Sequence, residues 1–322
     1  MVIKMEVYRL DEIKRVLEKV DKRELLEVIE EGFVAYSQGK AVVPPVGELL
    51  FEDPPGDVHI KYGYIKGGKY YVIKIASGFY ENYKYNLPSN QGMMLLFSQK
   101  TGIPEALLLD EGYLTDVRTG IAGAIAAKYL APKDVPCIGM VGSGIQARFQ
   151  LLSLDAVIDT KDVIAWSRNE KHLEKYKKDM EALGYRVKTT LKVSDVAQCP
   201  LIVTVTPSTK PLLKKENIRK GTHITAVGSD TPEKNELDPE ILGMADIVVA
   251  DSISQCLERG EIHHAIEKGV ISKDEILELG NVIASKKGRS SEEQITVADL
   301  TGVAVQDLQI AKFVYEKLKE ES

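Results

Sequence analysis

One stretch limits the possible folds more than any other: Ile138-Gly139-Met140-Val141-Gly142-Ser143-Gly144-Ile145-Gln146-Ala147. An apolar strand pattern runs straight into Gly-x-Gly-x-x-Ala. Gly142 permits a tight turn, Gly144 lets a backbone come close to a pyrophosphate, and Ala147 lets the following helix pack near the strand. The start of that helix, with its free N–H groups and its dipole, favours an anion. Alone, the motif is a weak signal, and a glycine turn with no cofactor is the plain alternative. Its surroundings decide. From Cys137 onward the pattern alternates between strand and helix, with strands expected over 137–141, 163–167, 201–206, 222–227 and 247–251. Such alternation predicts a parallel sheet of βαβ units, the setting in which this motif binds a dinucleotide.

At the end of the second such strand, NAD enzymes place Asp or Glu against the ribose 2′-hydroxyl. This chain reads Ala165-Trp166-Ser167-Arg168-Asn169, with Ser167 in the acid position, 25 residues after Gly142. Arg168 can pair with a 2′-phosphate. That favours NADPH, or use of both NADPH and NADH; a solvated loop arginine fits equally well.

The N-terminal third begins with two helical patterns. Asp21-Lys22-Arg23-Glu24 resembles a capping box, followed by Leu25, Ile29, Phe33 and Tyr36 at helical spacing, with Gly39 a C-cap candidate. Strands are expected over 57–65, 70–77, 92–99 and 104–110, with Gly67-Gly68 turning between the first two. The region reads as a mostly β layer with helices packed on it. The chain ends with a strand over 294–299 and an amphipathic helix over 303–319, whose Val303, Val305, Leu308, Ala311 and Val314 lie near one face.

Several charges sit in awkward places. Alternation puts Val72, Lys74 and Ala76 on one face of a strand whose other face is also apolar. A buried ammonium is costly unless it meets an anion, and a ligand carboxylate meets that need; an edge-strand lysine reaching for water is the alternative. In Thr115-Asp116-Val117-Arg118-Thr119-Gly120, an N-cap at Thr115 or Asp116 puts Arg118 in the first turn, where the dipole disfavours cations. An anion held by the arginine fork and helix N–H groups accounts for that placement; a salt bridge to Asp116 or Asp110 is the alternative. His59 and Lys61 share a strand face and either extend this basic pocket or form an exposed polar face. Asp230 follows a parallel strand, on the edge where ligands of open α/β sheets bind, or else caps the next segment. Thr206 ends another strand on that edge.

Bulk properties exclude several classes. The net charge of −6 with no basic block lacks the footprint of a nucleic-acid binder. No apolar run reaches membrane-spanning length, and the start has no long apolar stretch of the signal-peptide kind; a cytoplasmic protein is expected. Cys137, Cys199 and Cys256 are odd in number and widely spaced, which argues against a disulfide framework, a cysteine zinc site or any other metal centre, and Cys137 reads as a small buried hydrophobe. The many Lys and Glu residues suit a thermophile without establishing one.

Five stretches together resemble the ornithine cyclodeaminase/μ-crystallin family: 115–120 with its Ala/Gly helix, 141–147, 205–208, 226–230 through Glu236-Leu237-Asp238, and Thr301-Gly302 through Gln306-Asp307. They occur in order over nearly the whole chain. The resemblance implies an α/β protein: a Rossmann-type, doubly wound parallel-sheet domain over 118–302, plus a discontinuous α+β substrate and dimerisation domain over 1–117 and 303–322. It implies Lys74 and Arg118 as a carboxylate clamp and Asp230 as the acid/base group near the substrate nitrogen; Lys61 stays a substrate-binding candidate from its strand face, and a position near it often holds a different polar residue in the family. It carries Ser89, Arg118, Thr119, Ile145, Gln146, Thr206 and Lys234 to cofactor contacts, alongside Gly142, Gly144, Ser167, Arg168 and Asp230. A homodimer acting on a small amino or imino acid, with no nucleic-acid or membrane partner, is implied.

Within the family, 74–82 departs from the cyclodeaminases, which carry a short His-Pro turn after the lysine; here Phe79, Tyr80, Tyr83 and Tyr85 follow it. Leu300 replaces a common serine. The segment 59–64 is similar to the ectoine-utilisation, iminosuccinate reductase and archaeal pyrroline-2-carboxylate reductase branch. The expectation is NAD(P)H-dependent reduction of a small cyclic imino acid. Ornithine cyclodeaminase, alanine dehydrogenase and a non-enzymatic NADPH-dependent ligand-binding protein are the alternatives.

Overall fold

The computed structural model describes residues 5–321. They form two compact units, Met1–Arg118 with Val303–Ser322, and Thr119–Gly302.

The first unit runs β1 (Glu6–Arg9), α1 (Leu10–Leu17), α2 (Lys22–Ser37), β2 (Ala41–Val42), β3 (Gly47–Glu52), β4 (Pro55–Ile65), β5 (Tyr70–Phe79), β6 (Asn90–Ser98), β7 (Pro104–Leu109) and the start of α3 (Tyr113–Leu130). Asp21 caps α2 by accepting from the N–H of Arg23, and Gly39 follows the last turn with φ 68°. The sheet order is β1-β7-β6-β5-β4-β2, with β3 also on β4; only the β1–β7 pairing is parallel. The long central strands are β4, which alternates apolar and polar residues from Asp57 to Tyr62, and β5 and β6, which are largely apolar on both faces. The C-terminal helix, Ala304–Glu321, packs on α2 and on β4 and β5. It is buried nearly all round from Ala304 to Tyr315, more than an amphipathic stripe implies, because two layers cover it. Gly32 of α2 allows that approach: a Cβ there would lie 2.9 Å from Gln309.

The second unit contains β8 (Ile138–Val141), α4 (Ile145–Leu154), β9 (Asp162–Trp166), α5 (Glu170–Glu181), β10 (Arg186–Thr190), β11 (Leu201–Thr204), β12 (His223–Ala226), β13 (Ile247–Ala250), β14 (Ile276–Glu278) and β15 (Thr296–Asp299). All eight strands are parallel, in the order β10-β9-β8-β11-β12-β15-β13-β14. Strands β8, β11, β12 and β15 are buried at every residue, as parallel strands covered on both faces must be. The chain leaves β8 in one direction through β9 and β10, then returns to build β11 and β12 on the other side. That reversal makes the β8–β11 boundary the switch point where doubly wound sheets bind ligands.

The cysteines correct an expectation. Cys137 and Cys199 form a disulfide, with Cα atoms 5.3 Å apart across 62 residues of sequence. They stand just before β8 and β11, which are direct neighbours in the sheet. The intervening excursion through β9 and β10 hides that adjacency in the sequence. Cys256 is the free, buried thiol.

Candidate active site

The dinucleotide loop has the geometry its residues require. Gly142 adopts φ 128°, and a Cβ there would meet the Val205 side chain at 2.8 Å; glycine alone fits both demands. Gly144 precedes the first turn of α4 in extended backbone, and a Cβ on it would point into open space. Ala147 is fully buried. A cleft of about 360 Å³ opens at the exits of β8, β9 and β11, lined by 142–144, 166–169, His172, 205–208 and Leu212. It brings together Gly142, Gly144, Ser167, Arg168 and Thr206. Ser167 is nearly buried, while Arg168 is exposed. The loop residues thus fit a bound dinucleotide: backbone N–H groups face free space at a helix start, where phosphates are stabilised.

The remaining cofactor candidates are scattered. Ile145 is 53% exposed on the first turn of α4, beside Gln146. The Thr119 carbonyl accepts from Gln150 Nε2 at 2.9 Å. Ser89 lies exposed in the loop before β6, its carbonyl accepting from the Phe79 N–H. Lys234 Nζ stands 2.5 Å from Asp230 Oδ1. No helix begins at Asp230, so the capping alternative is not realised.

The first unit assembles a buried charge cluster. Lys74 is 2% exposed on β5, a strand inside the sheet, which rules out an edge lysine reaching for water. Its cross-strand partner on β4 is Lys61. Lys74 Nζ lies 3.3 Å from Asp307 Oδ2. Arg118 Nε donates to Asp307 Oδ1 at 2.9 Å, and its Nη1 donates to Gln306 Oε1 at 3.0 Å. Burial pulls Lys74 down to about 7, opposed by Asp307 and aided by Arg118 and Lys61. Burial alone would raise Asp307, but Arg118, Lys74 and Lys61 outweigh it and hold its carboxyl below the ordinary value. Burial likewise lifts Asp110 to about 6.

Two expectations about Arg118 change. The helix begins at Tyr113, not after Thr115 or Asp116: Asp110 Oδ2 accepts from the Leu114 N–H at 2.8 Å, and Glu111 and Gly112 turn with positive φ. Arg118 therefore lies in the second turn, so the first-turn dipole argument for an anion falls away. Its acidic partner is Asp307, not Asp116 or Asp110. Sequence reasoning assigned Asp307 and Gln306 no role. Their signal was present, as two polar residues in the first turn, between the apolar Val305 and Leu308.

The cluster holds three cations, Lys61, Lys74 and Arg118, against the carboxylates of Asp307 and Asp110. The Gln306 side chain is buried, and its Nε2 donor has no partner. Buried cations beside an unused buried N–H suit an incoming carboxylate. His59 belongs elsewhere: its nitrogens lie 3.4 Å from Glu48 and 3.4 Å from Asp57. Tyr80, Tyr83 and Tyr85 are exposed, and Phe79 packs on Phe51.

The chain matches the ornithine cyclodeaminase/mu-crystallin family over residues 6–322. It is 43% identical over 301 residues to a cyclodeaminase of Sinorhizobium fredii described as uncharacterized, covering 91% of this chain and 90% of that one. It is 42% identical over 295 residues to an alanine dehydrogenase of Archaeoglobus fulgidus, covering 91% and 89%. Among solved structures, an archaeal alanine dehydrogenase dimer with bound NAD superposes with a TM-score of 0.90 at 38% identity, covering 98% and 97% of the two chains. The Δ1-pyrroline-2-carboxylate reductase of Thermococcus litoralis, in complex with NADH and L-proline, does so with 0.90 at 31%, covering 98% of each. The iminosuccinate reductase of Paracoccus denitrificans, in complex with NAD⁺, gives 0.87 at 31%, covering 98% and 97%. The chain belongs to the ornithine cyclodeaminase/mu-crystallin family. With its Rossmann sheet and phosphate loop, it is an oxidoreductase that uses a nicotinamide dinucleotide.

Proposed function

We propose that the chain reduces a small cyclic α-imino acid, Δ1-pyrroline-2-carboxylate or a similar ketimine acid, to the L-amino acid. The observation that carries this reading is the buried Lys74–Asp307–Arg118 cluster beside the unpartnered Gln306 donor. The first unit supplies the carboxylate clamp: Lys74 and Arg118 hold the acid group, Gln306 Nε2 donates to it, and Lys61 borders it. Binding the carboxylate fixes the neighbouring α-carbon, so positioning contributes much of the rate. Bound NADH or NADPH supplies the hydride. The C=N electron pair moves onto nitrogen as the α-carbon gains that hydride, and Asp230 stabilises the iminium and passes the proton, directly or through water. Lys234 pairs with Asp230 and holds that carboxylate in place when no substrate is bound.

The identity to the Archaeoglobus alanine dehydrogenase favours a second reading, amination of pyruvate with ammonia. Its imine is also an α-imino acid, and the same residues would serve. A panel decides: pyrroline-2-carboxylate, piperideine-2-carboxylate, pyruvate with ammonia or methylamine, and iminosuccinate, each with NADH and NADPH. The cyclic imines should give the highest kcat/KM. Iminosuccinate as best substrate, with that preference abolished by Lys61→Ala, overturns the cyclic-imine reading. Ammonia release from ornithine with NAD⁺ and no net nicotinamide change identifies a cyclodeaminase instead. Tight NADPH binding without turnover of any of these identifies a ligand-binding protein. We also propose a cytoplasmic homodimer; the exposed Leu49 and Phe51 on one face of β3, with exposed Leu50 on the other, are apolar surface of the kind a second copy covers. No helix among the described residues is long and apolar enough to cross a membrane.

A further inference from the structure

Two fully buried carboxylates of the second unit, Glu236 and Glu261, have no part in the reaction described above. Their partners are neutral. Glu236 Oε1 accepts from the Thr206 N–H at 2.6 Å. Its Oε2 accepts from the Thr204 hydroxyl at 2.8 Å and the Gly228 N–H at 2.9 Å. Thr204 ends β11, and Gly228 lies just beyond β12, so one carboxylate ties together the exits of two neighbouring strands. The approach is close: a Cβ on Gly228 would fall 2.3 Å from the Thr206 carbonyl and 2.4 Å from Glu236 Oε2. Glu261 supports the arrangement from behind. It accepts from the Glu236 N–H at 2.8 Å, the Leu237 N–H at 3.0 Å and the Ser229 hydroxyl, next to Asp230.

Burying a carboxylate without a cation is expensive, and burial together with the nearby Glu261 lifts Glu236 to about 8. A fold keeps such a group where directional acceptors are needed. The two carboxyl oxygens meet three donors, and each donor belongs to a strand exit on the ligand-binding edge of the sheet.

We infer that Glu236 is a positioning residue that sets Thr206 and the segment Gly228–Asp230 for the reacting end of the dinucleotide, with Glu261 holding it in place. This rests on the roles given to Thr206 and Asp230 above. The adenosine and phosphate half of the dinucleotide depends on other residues, at the Gly142–Gly144 loop and Ser167. The two halves can therefore be separated by experiment.

Glu236→Gln conserves volume and removes one acceptor. Either seating of its amide sets the NH₂ against one backbone N–H that loses its acceptor, that of Thr206 at the Oε1 position or that of Gly228 at the Oε2 position, where the Thr204 hydroxyl can reverse. For this variant we would measure thermal melting, affinity for ADP-ribose and for NADH, and kcat and KM on the best substrate of the panel. The expected result is a folded protein that binds ADP-ribose within about twofold of the parent, binds NADH about tenfold more weakly, and loses about 10- to 100-fold in kcat with KM for the acid changed less than about threefold. Unchanged NADH affinity and kcat overturns the inference. So does a parallel loss of ADP-ribose and NADH binding, which marks a merely structural role. If Glu236→Gln does not fold, Thr204→Val removes one donor and spares both amides; it should lower kcat severalfold with ADP-ribose affinity intact, and parental kinetics in that variant overturn the inference. A parent protein that turns over nothing in the panel removes the proposed reaction but not this test, because the ratio of NADH to ADP-ribose affinity still reads the positioning.

Discussion

Asp307 Oδ2 lies 3.3 Å from Lys74 Nζ, both side chains closed off from solvent, while the other oxygen of the same carboxylate holds Arg118. The ammonium is thus neutralised only in part, and burial still draws it down to about 7. In the free enzyme the charged form is present below pH 7 and fades above it. An acid substrate needs that charge, so kcat/KM should fall as pH rises through about 7, approaching tenfold per unit. The same shift has a stability consequence of opposite sign. Between about 7 and the ordinary lysine value of 10.5, the unfolded chain holds a proton that the folded one lacks, so this group makes stability rise with pH there. A kcat/KM profile that stays flat to pH 9 removes Lys74 from carboxylate binding.

Removing either partner separates function from folding. Lys74→Ala leaves Asp307 paired with Arg118, so the protein should fold and bind cofactor while losing more than about 100-fold in kcat/KM. Near-parental turnover in that variant sinks the assignment. Asp307→Asn instead leaves Lys74 and Arg118 without the carboxylate that pairs with both, at a cost of about 3 kcal/mol in stability. Chemical denaturation compares the two, and Asp307→Asn should be the weaker fold.

What could be read in the sequence follows physical lines. The buried parallel strands and the Gly142–Ala147 turn announce themselves, because few arrangements besides covered strands and a tight phosphate turn need continuous apolar runs and obligatory glycines. Lys74 was legible because alternation leaves it no polar face. Edge strands were not: β3 and β10 carry exposed or charged residues, Leu50 and Arg186 among them, since one side of each has no strand to match. β1 was lost among helical patterns. The start of α3 was misplaced because a turn at Glu111 and Gly112 and a cap from Asp110 set it, three to five residues ahead of the Thr115-Asp116 signal. Asp307 and the disulfide share another cause. Both depend on partners far away in sequence, and no local period encodes which strands become neighbours.

Cofactor preference should follow Ser167. It follows β9 directly, at the place where a carboxylate would accept from a ribose 2′-hydroxyl and repel a 2′-phosphate, and exposed Arg168 lines the same cleft. NADPH should be used at least as well as NADH. Ser167→Asp should shift the ratio of kcat/KM values towards NADH by about tenfold or more, and Arg168→Ala should weaken NADPH alone. A parent enzyme with a strong NADH preference refutes this.

The Cys137–Cys199 link should be a structural fastener. It joins the approaches to β8 and β11, the two strands whose exits flank the cofactor cleft, and closes a loop spanning 62 residues. A crosslink of that span is worth about 4 kcal/mol through the unfolded chain. Cys199 is 1% exposed but Cys137 is only half-buried, so a reductant should reach the bond from the Cys137 side. The remaining thiol, Cys256, is buried and pushed well above the ordinary thiol range, chiefly by burial, so it should resist alkylation. Counting thiols in denaturant without reductant should give one, and after reduction three. Cys199→Ala should melt earlier than the parent, and should melt at the same temperature with or without reductant, whereas the parent should lose stability once reduced. Three free thiols in the oxidised, denatured protein would remove the fastener.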